Sequence, residues 1–260
     1  MNWELLHHHA RRMEYDILFS KLDTKVGVLL EVGCGMLPFL EEESKKSAHI
    51  IGVDIDAGSL TRAKRKALTL GVLKKVSLLR CDACRMPLVS SSVDIVICNS
   101  AIEHIQYYDL AISEMSRALR SEGLLLLTTD SRGRPVLAHL LDKLPFAVKQ
   151  ELVKKEVLAE RSFSNGMFRI HSSSYSVKTY FEREQLSKLL AANEFVIQWS
   201  LFYHTVLGAL IFELVVLLRG IGFGSVLYRR LSPLFYALSL IDSILPKTRG
   251  WGLALGAKKR

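Results

Sequence analysis

Two glycines flanking a cysteine, Gly33-Cys34-Gly35, follow an apolar run from Val26 to Val32 that carries Glu31 near its end, and the segment Met36 to Ser47 beyond them reads as a helix. The chemistry such a junction supports is close approach of backbone to a ligand. Glycine removes the Cβ that would fill the approach and tolerates φ values that other residues resist, while a helix start leaves unpaired N–H groups facing the same point. Leu37 and Pro38 stand where a third glycine would complete a dinucleotide fingerprint, so the turn alone does not specify a ligand and a phosphate is not required there.

Polar groups recur wherever later apolar runs end. His49 to Val53 ends in Asp54, with Ile55 behind it; Val76 to Leu79 leads into Cys81-Asp82-Ala83; and Val93 to Cys98 leads into Asn99-Ser100 and then Glu103-His104. Asp54 lies about twenty residues past the glycine turn, the spacing at which a doubly wound sheet sets a carboxylate against ribose hydroxyls. Asp56 competes for that role, since a carboxylate after a strand also serves as a helix cap. The elements that must position these groups alternate along the chain. Helical patterns at Met36 to Ser47, Ser59 to Leu70 and Tyr107 to Leu119 separate the apolar runs, the second started by Asp56 or Ser59 and stopped at Gly71. Such alternation predicts a parallel sheet with crossover helices and five strands by Thr129.

The stretches EVGCG (31–35), GVDID (52–56), CDACRMPL (81–88), VDIVICNSAIEHI (93–105) and GLLLLTTD (123–130), in this order and spacing, resemble the class I S-adenosylmethionine-dependent methyltransferases. The nearest likeness is to the branch with ubiquinone/menaquinone-biosynthesis and sterol-type enzymes. It covers residues 25–130 well and 180–200 loosely. The resemblance implies an α/β fold, a doubly wound, seven-stranded Rossmann-like sheet of order 3-2-1-4-5-7-6, with a sixth strand at Phe195 to Ser200, an antiparallel last strand at Trp251 to Ala257, and helical insertions in the C-terminal half.

It also implies S-adenosyl-L-methionine as cofactor. Gly33, Cys34 and Gly35 would lie against its methionine half, with Glu31 organising the amino-acid end or standing as a structural carboxylate; Asp54 and Ile55 would take the ribose side, Asp82 and Ala83 the adenine, and Asn99 with Ser100 would close the pocket. Methyl transfer from a sulfonium is an in-line displacement, so the protein must hold donor against acceptor, exclude water and, for a protic acceptor, remove a proton. Glu103 and His104 are the catalytic candidates for that proton, with a capping or packing role open beside it. His171, Tyr175 and Tyr180 are the substrate-side candidates. A carbon nucleophile or an acidic phenol would need no special base.

The 260 residues carry a formal charge of +9, and nearly half of them are apolar, which excludes a disordered chain. The charge is uneven. Residues 1–130 hold 16 Lys and Arg against 17 Asp and Glu; residues 131–260 hold 19 against 9. No secretory signal precedes the four cysteines, so the expected location is the cytoplasm, with peripheral association at the inner face of the membrane as an option. Cys81 and Cys84 have no second pair or histidine cluster at ligand spacing, and no metal is assigned; His7 to His9 read as the solvated face of an amphipathic helix.

The expected organisation is an N-terminal helix (1–24), the cofactor-binding core (25–130), a helical insertion or lid (131–180), a core helix with strand six (181–203), an apolar cationic insertion (204–249), and the last strand with a basic tail (250–260). Within 204–249, Val206 to Leu218 would form a helix of about 20 Å against a bilayer core of about 30 Å, too short to span. The insertion therefore reads as an interfacial hairpin with arginines among head groups, or as helices packed on the sheet or across a homodimer interface. The leading function is methylation of a small hydrophobic or lipid-like acceptor at a membrane surface. An RNA methyltransferase is the second reading, though nucleic acid is disfavoured because no Asn-Pro-Pro-Tyr-like stretch follows strand four. A non-catalytic cofactor-binding scaffold is the third, left open by Leu37.

Overall fold

Backbone pairing in the computed structural model explains why the polar run-ends converge. The structure describes residues 14–22, 25–131, 179–203 and 252–260, with positions 230, 231, 234, 238, 241 and 250. By compactness the chain divides into two units, one of residues 1–130, 175–200 and 253–260, the other of residues 131–174 and 201–252. The elements in chain order are β1 (Val26–Val32), α1 (Leu40–Lys46), β2 (Ser47–Asp54), α2 (Ala57–Thr69), β3 (Val76–Arg80), β4 (Val93–Asn99), α3 (Tyr108–Ala118), β5 (Leu119–Asp130), α4 (Arg183–Ala192), β6 (Phe195–Tyr203) and β7 (Gly252–Lys259). The strands form one seven-stranded mixed sheet in the order β3-β2-β1-β4-β5-β7-β6, with the last strand antiparallel.

Parallel register places every chemically interesting strand end on one edge. Glu31 sits beside Gly52 and Ile97, Asp54 beside Arg80, and Asn99 beside Thr128. Parallel strands need crossovers that cover the faces, so β1 and β4 are nearly continuous apolar runs. On one face, Leu29, Ile50, Ile95, Ile97 and Leu126 pack with Leu60, Ala63 and Ala67 of α2 and with Tyr15, Leu18 and Phe19 of a helical stretch at residues 14–19. Tyr15 is sandwiched there, its ring centroid 3.9 Å from Phe19 and 4.0 Å from Phe39.

The helix expected from Met36 to Ser47 is shorter than its sequence pattern. Gly35 and Leu37 both take left-handed φ, +52° and +51°, and Pro38 has no N–H to give, so residues 36–39 form turns and α1 starts only at Leu40. The remaining edges fall close to expectation. Asp56 is the N-cap of α2, its carboxylate accepting Ser59 N at 2.7 Å. Strand β5 begins four residues before Gly123, and its register against β4 shifts between Val93 and Ile95. The expected insertion 131–180, with His171 and Tyr175, lies almost wholly outside the described residues, as do His7 to His9 and most of 204–249.

Candidate functional site

Strand β1 delivers the chain into the glycine turn, and β2 holds that turn down. Gly33 N and Cys34 N both donate to Val53 O, at 2.9 and 3.0 Å. The two glycines have different reasons to be glycine. At Gly33 (φ +68°) a Cβ would collide with the Cβ of Ala101, so the missing side chain makes room for the chain after β4 rather than for a ligand. At Gly35 (φ +52°) a Cβ would meet nothing within 4 Å, so this position faces open space. Cys34 offers that space its backbone only. Its thiol packs against Gly52, and burial pushes its pKa well up, so it is not a reactive thiolate.

Asp54 closes the other side of the turn. It is 5% exposed; Oδ2 accepts Gly35 N at 2.7 Å and Oδ1 accepts Asp56 N at 2.8 Å. Each carboxylate oxygen has a further lone pair, so two hydroxyls can still be received. Asp56 is engaged as the α2 cap, which separates the two carboxylates that compete in the sequence. Ile55 between them is 50% exposed, an apolar side chain on the rim.

Glu31 takes the face of β1 that Leu29 shares, because strand side chains alternate, and that face is covered by α1. There it neighbours Glu43. Both side chains are buried; Glu31 Oε2 and both Glu43 oxygens lie outside hydrogen-bond geometry with any donor, although the Tyr15 phenol is near enough to lower Glu43. Burial raises both pKa values; proximity to Glu43 raises Glu31 further, and Glu43 rises to about 7. Lys66 of α2 opposes the rise without reversing it, and its own pKa is lowered by burial. Its ammonium donates to Leu37 O at 2.9 Å and to Pro38 O, tying down the turn that has leucine where glycine would be relaxed.

At the adenine-side expectation, Asp82 is exposed and its Oδ1 accepts Cys84 N at 2.9 Å, with Ala83 half-buried between them. The Cys84 pKa is pushed up to about 12, first by burial and then by Asp82, and that of Cys81 also rises by burial. The loop after them is clamped by α3, where Glu114 accepts Met86 N at 2.8 Å while Arg117 donates to Leu88 O and Met86 O at 2.6 and 3.0 Å. At the β4 end, Thr128 donates to Asn99 Oδ1 at 2.6 Å and accepts Ser100 N at 3.0 Å. Ser100, at φ +45°, turns its hydroxyl to Glu14 Oε2 at 3.0 Å. Glu14 is a partner of the β4 end that sequence reasoning missed, since nothing links positions 86 apart before folding.

Glu103 and His104 part company in the fold. Glu103 is 2% exposed and accepts the Thr129 hydroxyl at 3.1 Å, whereas His104 is half-buried in the same short 3₁₀ turn. Thr179 N donates to Glu103 O at 2.7 Å and Phe181 N to Asp130 O at 3.1 Å, which brings Tyr180, 43% exposed, to the rim beside Glu103.

Residues 30–127 match the family described as Methyltransferase domain. The chain is 25% identical over 201 residues to the ubiquinone/menaquinone biosynthesis C-methyltransferase of Campylobacter jejuni, covering 65% of this chain and 82% of that protein. It is 27% identical over 124 residues to the demethylmenaquinone methyltransferase of Lactobacillus johnsonii, covering 46% and 51%. Residues 30–127 are a methyltransferase domain of the class I S-adenosylmethionine-dependent type. The fold agrees: the geranyl diphosphate C-methyltransferase of Streptomyces coelicolor superposes with a TM-score of 0.61 over 96% of this chain and 76% of that one, at 14% identity. The chain spans about half or less of the length of most curated relatives it matches.

The residues present fit the family's cofactor. Open space above Gly35, spare acceptor capacity on Asp54 and a buried Glu31 oxygen without a donor are complementary to an amino-acid and ribose ligand carrying an ammonium and two hydroxyls.

Proposed function

We propose that this protein methylates a small hydrophobic acceptor of quinone or lipid-like class. The observation that carries the cofactor half of this reading is Asp54, a nearly buried carboxylate that braces the glycine turn and keeps lone pairs for two hydroxyls. S-adenosylmethionine, when bound, supplies an electrophilic methyl group; the carbon–sulfur bond breaks as the bond to the acceptor forms. The chain's own part is to bind, orient and dry the site. Asp54 holds the ribose side, Gly35 leaves space for the amino-acid side, and Asp82 with Ala83 supplies the adenine end. His104 is better placed than Glu103 to take a proton from a protic acceptor, because Glu103 is buried under Thr129. Tyr180 stands on the acceptor rim, and we assign His171 and Tyr175 to the same side from the sequence.

The quinone-methylating relatives and the geranyl diphosphate enzyme of like fold support the acceptor class. The apolar, cationic sequence of residues 204–249 supports delivery from an anionic membrane surface. The test is to incubate the protein with methyl-labelled S-adenosylmethionine and, in parallel, lipid, RNA and polar small-molecule extracts. Label in the lipid fraction is expected. Label only in RNA would replace the acceptor, and no transfer to any fraction with intact cofactor binding would leave a scaffold.

A further inference from the structure

The Glu31–Glu43 pair is not required by the sheet. Two neighbouring buried acids, one of them two residues before the glycine turn, are costly unless something offsets their charge. A hydrogen bond between two carboxyls requires that one of them carry a proton, and one shared proton satisfies Glu31 Oε2 and one of the two Glu43 oxygens. Glu31 is the penultimate residue of β1, two before Gly33, so a charge that settles at the amino-acid end of the site acts on Glu31 directly and on Glu43 through it.

We propose that Glu43 is a positioning residue for the cofactor, sharing one proton with Glu31 while the pocket is free and losing it to solvent when the cofactor's ammonium docks at Glu31. The inference rests on the cofactor reading above. The exchange balances: one positive charge enters, one proton leaves, and the pair ends with both carboxylates ionised around a cation.

The groups packed around the pair favour this direction. Lys66 from α2 lowers both acids but is itself committed to the Leu37 and Pro38 carbonyls. Asp54 from β2 acts on Glu31 in the raising sense, Glu42 from α1 acts on Glu43 likewise, and the Tyr15 phenol from the N-terminal helical stretch lowers Glu43. Cys34 from the turn is a buried neutral thiol. Burial is the largest influence on both carboxyls and raises them, so the free protein holds the proton near neutrality.

The experiment is calorimetric titration of the full chain with S-adenosylhomocysteine, from pH 5.5 to 8.5, in buffers of different ionisation enthalpy. Wild type is expected to release close to one proton per ligand below pH 7, with affinity rising up to about tenfold per pH unit and levelling above that. Glu43→Gln should remove both the proton release and the slope, because an amide can donate to ionised Glu31 and no proton need be shared. Glu43→Leu guards against a folding artefact of the amide: it offers Glu31 no donor and leaves it buried, so Glu31 alone should keep the proton when free and the release should persist. Proton release in Glu43→Gln equal to that of wild type, or a flat profile in wild type with binding intact, would overturn the inference and leave the cofactor reading standing. No binding at any pH would take both down.

Discussion

At Asp54 each carboxylate oxygen already holds one backbone N–H, so the residue both builds the turn and faces the ligand. Asp54→Asn separates these duties, since it keeps one acceptor oxygen for the backbone while losing the charge. It should cost about 2 to 4 kcal/mol of S-adenosylhomocysteine binding, measured by calorimetry, with a smaller change in melting temperature. The two glycines should divide in the opposite sense. Gly33→Val should fail chiefly in folding, because its side chain meets Ala101 and φ is +68°; Gly35→Val should fold better and lose the ligand, since the space it fills is empty of protein. Thermal melts beside binding isotherms would show the reversal, and equal loss of folding in both would remove Gly35 from the site. The buried acids give a pH prediction of fixed sign. Their pKa values are raised above those of the unfolded chain, so the folded state holds protons that the unfolded state has lost. The stabilisation is complete below about pH 4 and disappears as pH rises toward and through about 7. The ligand-free protein should therefore melt at lower temperature at pH 8 than at pH 6, and Glu43→Gln should shrink that difference. Asp54 and Glu31 were legible because both end apolar runs. Glu43 was not, since the acidic stretch 41–43 reads as solvated helix surface; only its spacing of three from Leu40, on a helix that buries both, marks it as inward.

Elements were more legible than contacts, for a physical reason that α1 makes plain. Strands β1 and β4 declare themselves because a parallel strand buried on both faces must be apolar throughout, and the apolar runs of β1 to β4 predict their ends within a residue or two. A helix next to a ligand loop has no such protection. Residues 36–39 have helical periodicity but are diverted into turns by Gly35, Leu37 and Pro38, and local pattern does not register a left-handed leucine. Leu37 persists in that conformation with its side chain in the core and its carbonyl held by Lys66 from α2. Lys66→Met keeps most of the buried stem and removes the ammonium. The variant should bind S-adenosylhomocysteine about tenfold more weakly, the equivalent of ~1.4 kcal/mol for the lost charge-assisted bonds, with partial recovery in Lys66→Arg. Unchanged affinity in Lys66→Met would mean that Cys34 O, which accepts Leu37 N at 2.9 Å, holds the turn unaided.

Across the whole chain the cofactor half is electrically balanced and the excess of positive charge lies C-terminal to it. Strand ends could be read from one sequence because they follow from general packing rules, whereas sheet order and cofactor came with the family resemblance. The acceptor could not, because it depends on segments with no shared motif. What those segments do show is charge beside apolar length. Residues 204–249 carry Arg219, Arg229, Arg230, Lys247 and Arg249 against Glu213 and Asp242, and Arg230 is exposed. Among the described residues no helix is long and apolar enough to cross a membrane. Basic residues near an anionic surface contribute on the order of 1 kcal/mol each, within a Debye length of about 8 Å at physiological salt. The full chain should therefore float with phosphatidylglycerol-containing vesicles in preference to phosphatidylcholine ones, and the preference should fade as salt is raised. Replacing Arg229 and Arg230 together by glutamate reverses four charges' worth of attraction at one point of the segment, and should reduce flotation while leaving S-adenosylhomocysteine affinity unchanged. Equal flotation on neutral and anionic vesicles would sink the electrostatic reading, and sedimentation showing a stable dimer that withstands salt would assign the apolar runs to a subunit interface instead.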